Sequence, residues 1–219
     1  MIHGAIFDVD GTLVDTMGMW NHCGERYLAA RGIEAEPNLA EVMKILPIHE
    51  SGHFIKKHYH LSDSPEAITD GLNAIAYDYF MDEAVLKPFI PEILSALSAY
   101  GIRMAVGTAS DKEVVEPLLA RLGILPYFCE IHSCKTLGLT KSTPDFFLTC
   151  AKRLDTKPSD TLVFEDMVHA ATSAYQGGLT VVGMYDAENA EAEDELRRIC
   201  RYFIKTEADV LSFLRAMAR

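Results

Sequence analysis

The stretch Phe7-Asp8-Val9-Asp10-Gly11-Thr12-Leu13-Val14-Asp15 closes an apolar run, residues 3–7, with two carboxylates and a glycine. A short apolar run bounded by a turn signal reads as a buried strand, and Gly11 lets the chain turn away sharply at its end. Residues two apart on an extended backbone point the same way, so Asp8 and Asp10 face one point in space. Taken alone, Asp10-Gly11 also fits a simple turn. The rest of the chain decides between the two readings.

Further apolar runs at 102–107, 129–132, 161–164 and 180–184, with a short sixth at 202–204, alternate with helical stretches. That alternation predicts an α/β fold, a Rossmann-like parallel sheet with helices on both faces. Ser110 with Glu113 fits a capping box, Thr143 before Pro144 an N-cap with proline at the first helical position, and Thr206 the start of a last helix. One stretch breaks the alternation. Between Met17 and Val85 there is helical periodicity alone, interrupted at Gly32, Pro37, Pro47 and Ser64-Pro65. The expected division is a core of residues 1–16 and 87–219 and a small all-helical insert, a cap, of 17–86, with short hinges near 16–18 and 86–91.

In an open parallel sheet, ligands bind beyond the carboxyl ends of the strands. Four of the runs end in groups that suit one reaction: Asp8 and Asp10 after the first, Thr108-Ala109-Ser110 after the second, Lys141 beyond the third, and Glu165-Asp166 after the fourth. An aspartate can attack phosphorus while a second group protonates the leaving oxygen, and Asp8 and Asp10 can divide those roles. Asp8, Asp166 and a phosphate dianion bring about four negative charges together, and each close pair costs roughly 4 kcal/mol at an effective dielectric near 20. Lys141 alone does not offset that. Magnesium, which takes oxygen ligands, is the expected cofactor, held by Asp8, Asp166 and a backbone carbonyl. Thr108 and nearby backbone N–H groups, including that of Ala109, are expected to meet the phosphoryl oxygens.

The 219 residues carry a formal net charge of -12, which argues against nucleic acid or an anionic membrane surface as partner. No run is apolar and long enough to span a bilayer, and no leader pattern is read at the start. Five cysteines without zinc or CxxC spacing read as reduced thiols, so the expected setting is the cytoplasm, as a monomer or weak homodimer. The acidic stretch 186–195 reads as a solvated helix face without chemistry.

The four segments, in this order, resemble the motifs of the haloacid-dehalogenase superfamily. That resemblance implies Asp8 as nucleophile, Asp10 as general acid/base and magnesium ligand through its carbonyl, Thr108 as phosphate binder and Lys141 as charge stabiliser. It implies Asp166 as metal ligand, with Glu165 acting through water or orienting the site. The insertion after the first motif and Lys141-Ser142-Thr143-Pro144-Asp145 resemble the phosphoglycolate phosphatase and beta-phosphoglucomutase branch. Met167 and Ala170 depart from it, standing where a small hydroxyl residue and a glycine are usual.

The implied activity is magnesium-dependent hydrolysis of a small phosphorylated metabolite, such as a sugar phosphate, with a phosphosugar mutase as the alternative and a non-enzymatic binding protein less favoured. Dehalogenase and phosphonatase chemistries fit poorly, because Asp10, Glu165 and Asp166 are all present. Family mutases carry a histidine where this chain has Trp20 and an arginine in the cap, where residues 48–52 offer His49 and Glu50. Substrate choice is expected to lie in the cap, with Trp20, His22, Lys44, His49 and Glu50 as candidates. Asp15 and Thr16 read as hinge or capping residues. His49 and His53, four apart, read as one solvated helix face.

Overall fold

The computed structural model describes residues 2–218, apart from the side chain of Lys44. Strand β1 (Gly4–Phe7) is buried at all four positions and lies at the centre of a six-stranded sheet. Its neighbours are β2 (Arg103–Thr108) and β4 (Thr161–Glu165). Beyond them lie β3 (Glu130–Ser133) on one side and β5 (Thr180–Met184), then β6 (Tyr202–Ile204), on the other. All five pairings are parallel.

Parallel strands need helices on both faces, and the side chains alternate accordingly. Ala5, Phe7, Val106, Leu162 and Phe164 enter one core together with helices α5 (Ile90–Ala99), α6 (Lys112–Arg121) and α11 (Glu207–Met217). Ile6, Ala105, Val163 and Val181 enter the other, against α8 (Pro144–Arg153), α9 (Val168–Gln176) and α10 (Glu193–Ile199). A four-residue helix, α7 (Cys134–Leu137), follows β3 directly. The pairing Phe7↔Val106 and Phe7↔Phe164 puts the carboxyl ends of the three middle strands level, and the Phe7 and Phe164 rings stack at 4.1 Å. The chain leaves β1 toward β2 and later returns on the opposite side to β4. A crevice therefore opens above β1, where strand order reverses.

The interval between β1 and α5 holds α1 (Met17–Ala29), α2 (Leu39–Ile45), α3 (Ile48–Tyr59) and α4 (Pro65–Asp82). Each starts where a proline or glycine had interrupted the periodicity. Ser64 caps α4 by accepting the Ala67 N–H, with Pro65 at the first helical position. α3 and α4 approach so closely that a Cβ on Gly52 would collide with Thr69 Oγ1 and the Pro65 carbonyl. The two connections to the sheet run side by side: Val14 bridges Leu86 antiparallel, Asp15 N–H donates to the Val85 carbonyl and Lys87 N–H to that of Leu13. No helix among the described residues is long and apolar enough to cross a membrane.

Two expectations fail here. Helix α6 begins at Lys112 with Asp111 at its N-cap, so Ser110 and Glu113 form no capping box. Ser110 is held instead by the strand-end turn, its N–H on Thr108 Oγ1, which frees its hydroxyl for other work. The acidic stretch after Asp186 is also not a simple solvated face. Asp186 is buried and paired with buried Lys87 at 2.6 Å, and its other oxygen caps the turn at Glu188. Lys87→Met leaves that carboxylate buried without its cation and is expected to cost about 3 kcal/mol of stability, measured by urea unfolding. An unchanged midpoint contradicts this.

Candidate active site

Asp8 is the first residue beyond β1, and its N–H is bound by the Phe164 carbonyl, so the turn starts within the sheet. Gly11, at φ +75°, completes it. A side chain there would be both strained and in collision with the Asp166 carboxylate, so glycine is required twice over. Lys141 reaches in from the loop before α8: its ammonium lies 2.7 Å from Asp8 Oδ1 and also contacts Glu165 Oε1. All three side chains are buried. Glu165 turns its second oxygen to the N–H groups of Asp166 and Met167, fixing the bend that presents Asp166. Asp166 in turn accepts Thr12 Oγ1–H at 3.2 Å and the Asn189 amide at 2.8 Å.

Asp10 is aimed by hydroxyl and indole donors. Thr16 Oγ1 and Trp20 Nε1 donate to its Oδ1 at 2.7 and 2.6 Å, and Ser110 Oγ donates to its Oδ2 at 2.6 Å. Thr16 therefore serves this carboxylate rather than capping α1, where it makes no side-chain cap bond. Thr108 is fully buried beneath Ala109 and Ser110, which line the cleft. Asp15 is exposed at the connection between sheet and helices.

The electrostatics are unbalanced. Burial, reinforced by Glu165 and Asp10, pushes the Asp8 carboxyl up to about 8 against the pull of Lys141. Burial and the neighbouring charges of Glu165, Asp8 and Asp186 raise Asp166 well above the ordinary carboxylate range. Burial works against the charge on Lys141, but Asp8 and Glu165 outweigh it and hold the proton on. Four carboxylates, those of Asp8, Asp10, Glu165 and Asp166, thus face one ammonium.

Asp8, Glu165 and Asp166 each offer an oxygen within 4.8 Å of the others. That all-oxygen donor set, with two carboxyls whose ionisation a cation would restore, fits a hard divalent ion.

Across the cleft the helical unit supplies an apolar wall of Met17, Met43, Ile45, Leu46, Pro47 and Ile48, with Trp20 and Ser51. His49 and Glu50 do not line it; at the start of α3 it is Ile48 and Ser51 that face the core. His22 lies outside, exposed beside Glu25. The side chain of Lys44 lies outside the described residues. Sequence reasoning missed Ser110, Thr12, Asn189 and His169. His169 lines the cleft one turn into α9, where burial lowers its proton affinity.

A profile for haloacid dehalogenase-like hydrolases matches residues 5–184. The chain belongs to that family. A fructose-1-phosphate phosphatase of Escherichia coli (strain K12) is 28% identical over 180 residues, 82% of this chain and 94% of its relative. A probable pseudouridine-5'-phosphatase of Drosophila melanogaster is 30% identical over 187 residues, 83% of this chain and 80% of that one. In fold, this hydrolase is similar to a beta-phosphoglucomutase from Clostridium difficile, with TM-score 0.76 at 20% identity over 100% of both chains. It is likewise similar to CbbY from Rhodobacter sphaeroides in complex with phosphate, with TM-score 0.75 at 23% identity, covering 86% and 88%.

Proposed function

We propose that this hydrolase is a magnesium-dependent phosphatase of small phosphorylated metabolites, working in the cytoplasm through a phosphorylated Asp8. The observation that carries the reading is the pairing of buried Asp8 with Lys141 beside Glu165 and Asp166, while Asp10, two residues on, is aimed at the same cleft. The helical unit of residues 17–86 acts as a cap over a core of 1–16 and 87–219, and its apolar wall keeps water from the reacting centre. Substrates of the named relatives place the leaving group among sugar phosphates.

Asp8 attacks phosphorus as the bond to the leaving oxygen breaks, and Asp10 gives that oxygen its proton. Water then attacks the same phosphorus, Asp10 takes the proton back, and the bond to Asp8 breaks. Lys141 steadies the phosphoryl charge and Asp8, while the backbone N–H groups after β2 and the Thr108 hydroxyl are the donors assigned to the phosphoryl oxygens. Asp8 and Asp166, with the Asp10 carbonyl, would hold magnesium, which supplies positive charge to the phosphoryl oxygens when bound. Glu165 orients this set.

A mutase needs a group to grip its substrate while the phosphoryl group returns to it. The cap residues lining the cleft include no arginine among the described residues, which favours water as acceptor. Hydrolysis of 4-nitrophenyl phosphate with magnesium, and its fall by about 100-fold in excess chelator, is the expected result, since the cation contributes several kcal/mol. Undiminished turnover in chelator refutes the metal requirement. Phosphoryl transfer between sugar positions without release of phosphate refutes hydrolysis.

A further inference from the structure

The three donors on Asp10 come from different parts of the molecule. Ser110 belongs to the sheet body just past β2, and Thr16 to the connection. Trp20 alone stands within the helical unit, one turn into α1, where its ring lies edge-on to Phe80 of α4 at 6.1 Å and 80°. Phe80 is fully buried, so the indole moves with the helical unit. Its bond to Asp10, 2.6 Å long, exists when that unit sits against the sheet, and a shift of about 1 Å removes it.

The donors also differ in chemistry. A serine or threonine hydroxyl can turn round and accept, whereas an indole N–H only donates. Oδ1 of Asp10 therefore remains an acceptor from Trp20 whether or not the carboxyl carries a proton. The proton must sit on Oδ2, where the Ser110 hydroxyl can reverse to receive it or step aside for the leaving oxygen.

We propose that Trp20 is a positioning residue for Asp10: the indole N–H confines the transferable proton to Oδ2, and does so when the helical unit is closed over the cleft. Proton donation is then tied to closure, and a substrate that holds the cap shut is the one whose leaving group is protonated. The proposal rests on the phosphatase reading and adds to it a residue that touches neither phosphorus nor metal.

Trp20→Phe keeps a ring against Phe80 and removes only the N–H. The probes are 4-nitrophenyl phosphate, whose leaving group needs little protonation, and a simple alkyl phosphate, whose leaving group needs it fully. The variant is expected to lose about 10-fold in kcat on the alkyl ester and under about 2-fold on the aryl ester, with KM within about 2-fold on both. The ratio of the two rates on one preparation is independent of the fraction folded. An unchanged ratio overturns the role, because lost packing would slow both esters alike.

A second measurement adds Trp20→Phe to Asp10→Asn. No further loss on the alkyl ester is expected, since Trp20 acts through Asp10, and a full additive loss overturns the proposal. Failure of the wild type to hydrolyse either ester would strike the phosphatase reading itself. Turnover of both by the wild type with an unaltered variant ratio would remove Trp20 alone.

Discussion

Asp8→Asn is expected to abolish hydrolysis of every phosphate ester, by on the order of 10⁴-fold or more in kcat, because the variant has no nucleophile for phosphorus. The substitution is gentle on the fold. An amide oxygen at this position still accepts from the Lys141 ammonium, and the strand-end turn is held by backbone bonds that the change leaves alone. It also removes one of the buried negative charges that push Asp8 and Asp166 upward, so thermal stability is expected to hold or rise slightly. Loss of activity with an unchanged unfolding curve thus separates chemistry from damage. Steady-state turnover of 4-nitrophenyl phosphate with magnesium, together with a thermal scan, makes the measurement. Near-normal turnover would mean that water attacks phosphorus directly and that Asp8 serves only to hold a cation.

The strands were readable because each is a short apolar run closed by a polar turn, buried on both faces by helices that announce themselves between the runs. Thr180–Met184 and Tyr202–Ile204 lie where the pattern put them, and the other strands differ by a residue at an end. The groups that the structure gathers around Asp8 were readable for the same reason: a parallel sheet collects whatever follows its strands. Contacts made by irregular segments were not. Asn189 meets Asp166 only because the turn after β5 folds back over the site, pinned by the Lys87–Asp186 pair. Nothing in the acidic composition of that turn signals a buried carboxylate.

Ser110 was misread because a hydroxyl three residues before a glutamate satisfies the local rule for a helix start. A tertiary bond to Asp10 and an N-cap one residue later override it. In α3 the error was one of helical phase: His49 and Glu50 stand beside Ile48 and Ser51 in sequence but turn away from the cleft. Periodicity finds the helix, but the rotation of that helix is set by packing such as the close approach of Gly52 to α4.

Asp10→Asn is expected to lower kcat on an alkyl phosphate by about 10³-fold, within the range typical of a lost general acid and base. The side chain at position 10 should keep its place. An amide oxygen accepts from Thr16 and Trp20 as the carboxylate does, and the amide nitrogen meets a Ser110 hydroxyl that can rotate to accept. The backbone carbonyl assigned to magnesium is untouched, so metal and substrate binding should survive. The two chemical steps then part company on an activated ester. 4-Nitrophenolate leaves without protonation, so Asp8 is still phosphorylated, while hydrolysis of that acyl phosphate lacks the base that removes a proton from water. A burst of 4-nitrophenolate followed by slow turnover is expected, and rapid quenching with intact-mass analysis should find one added phosphoryl group, absent when Asp8→Asn is combined with Asp10→Asn. Equal, full-rate turnover of both esters by Asp10→Asn would remove Asp10 from the proton transfers. A burst without any trapped phosphoryl group would instead remove Asp8 from the covalent step.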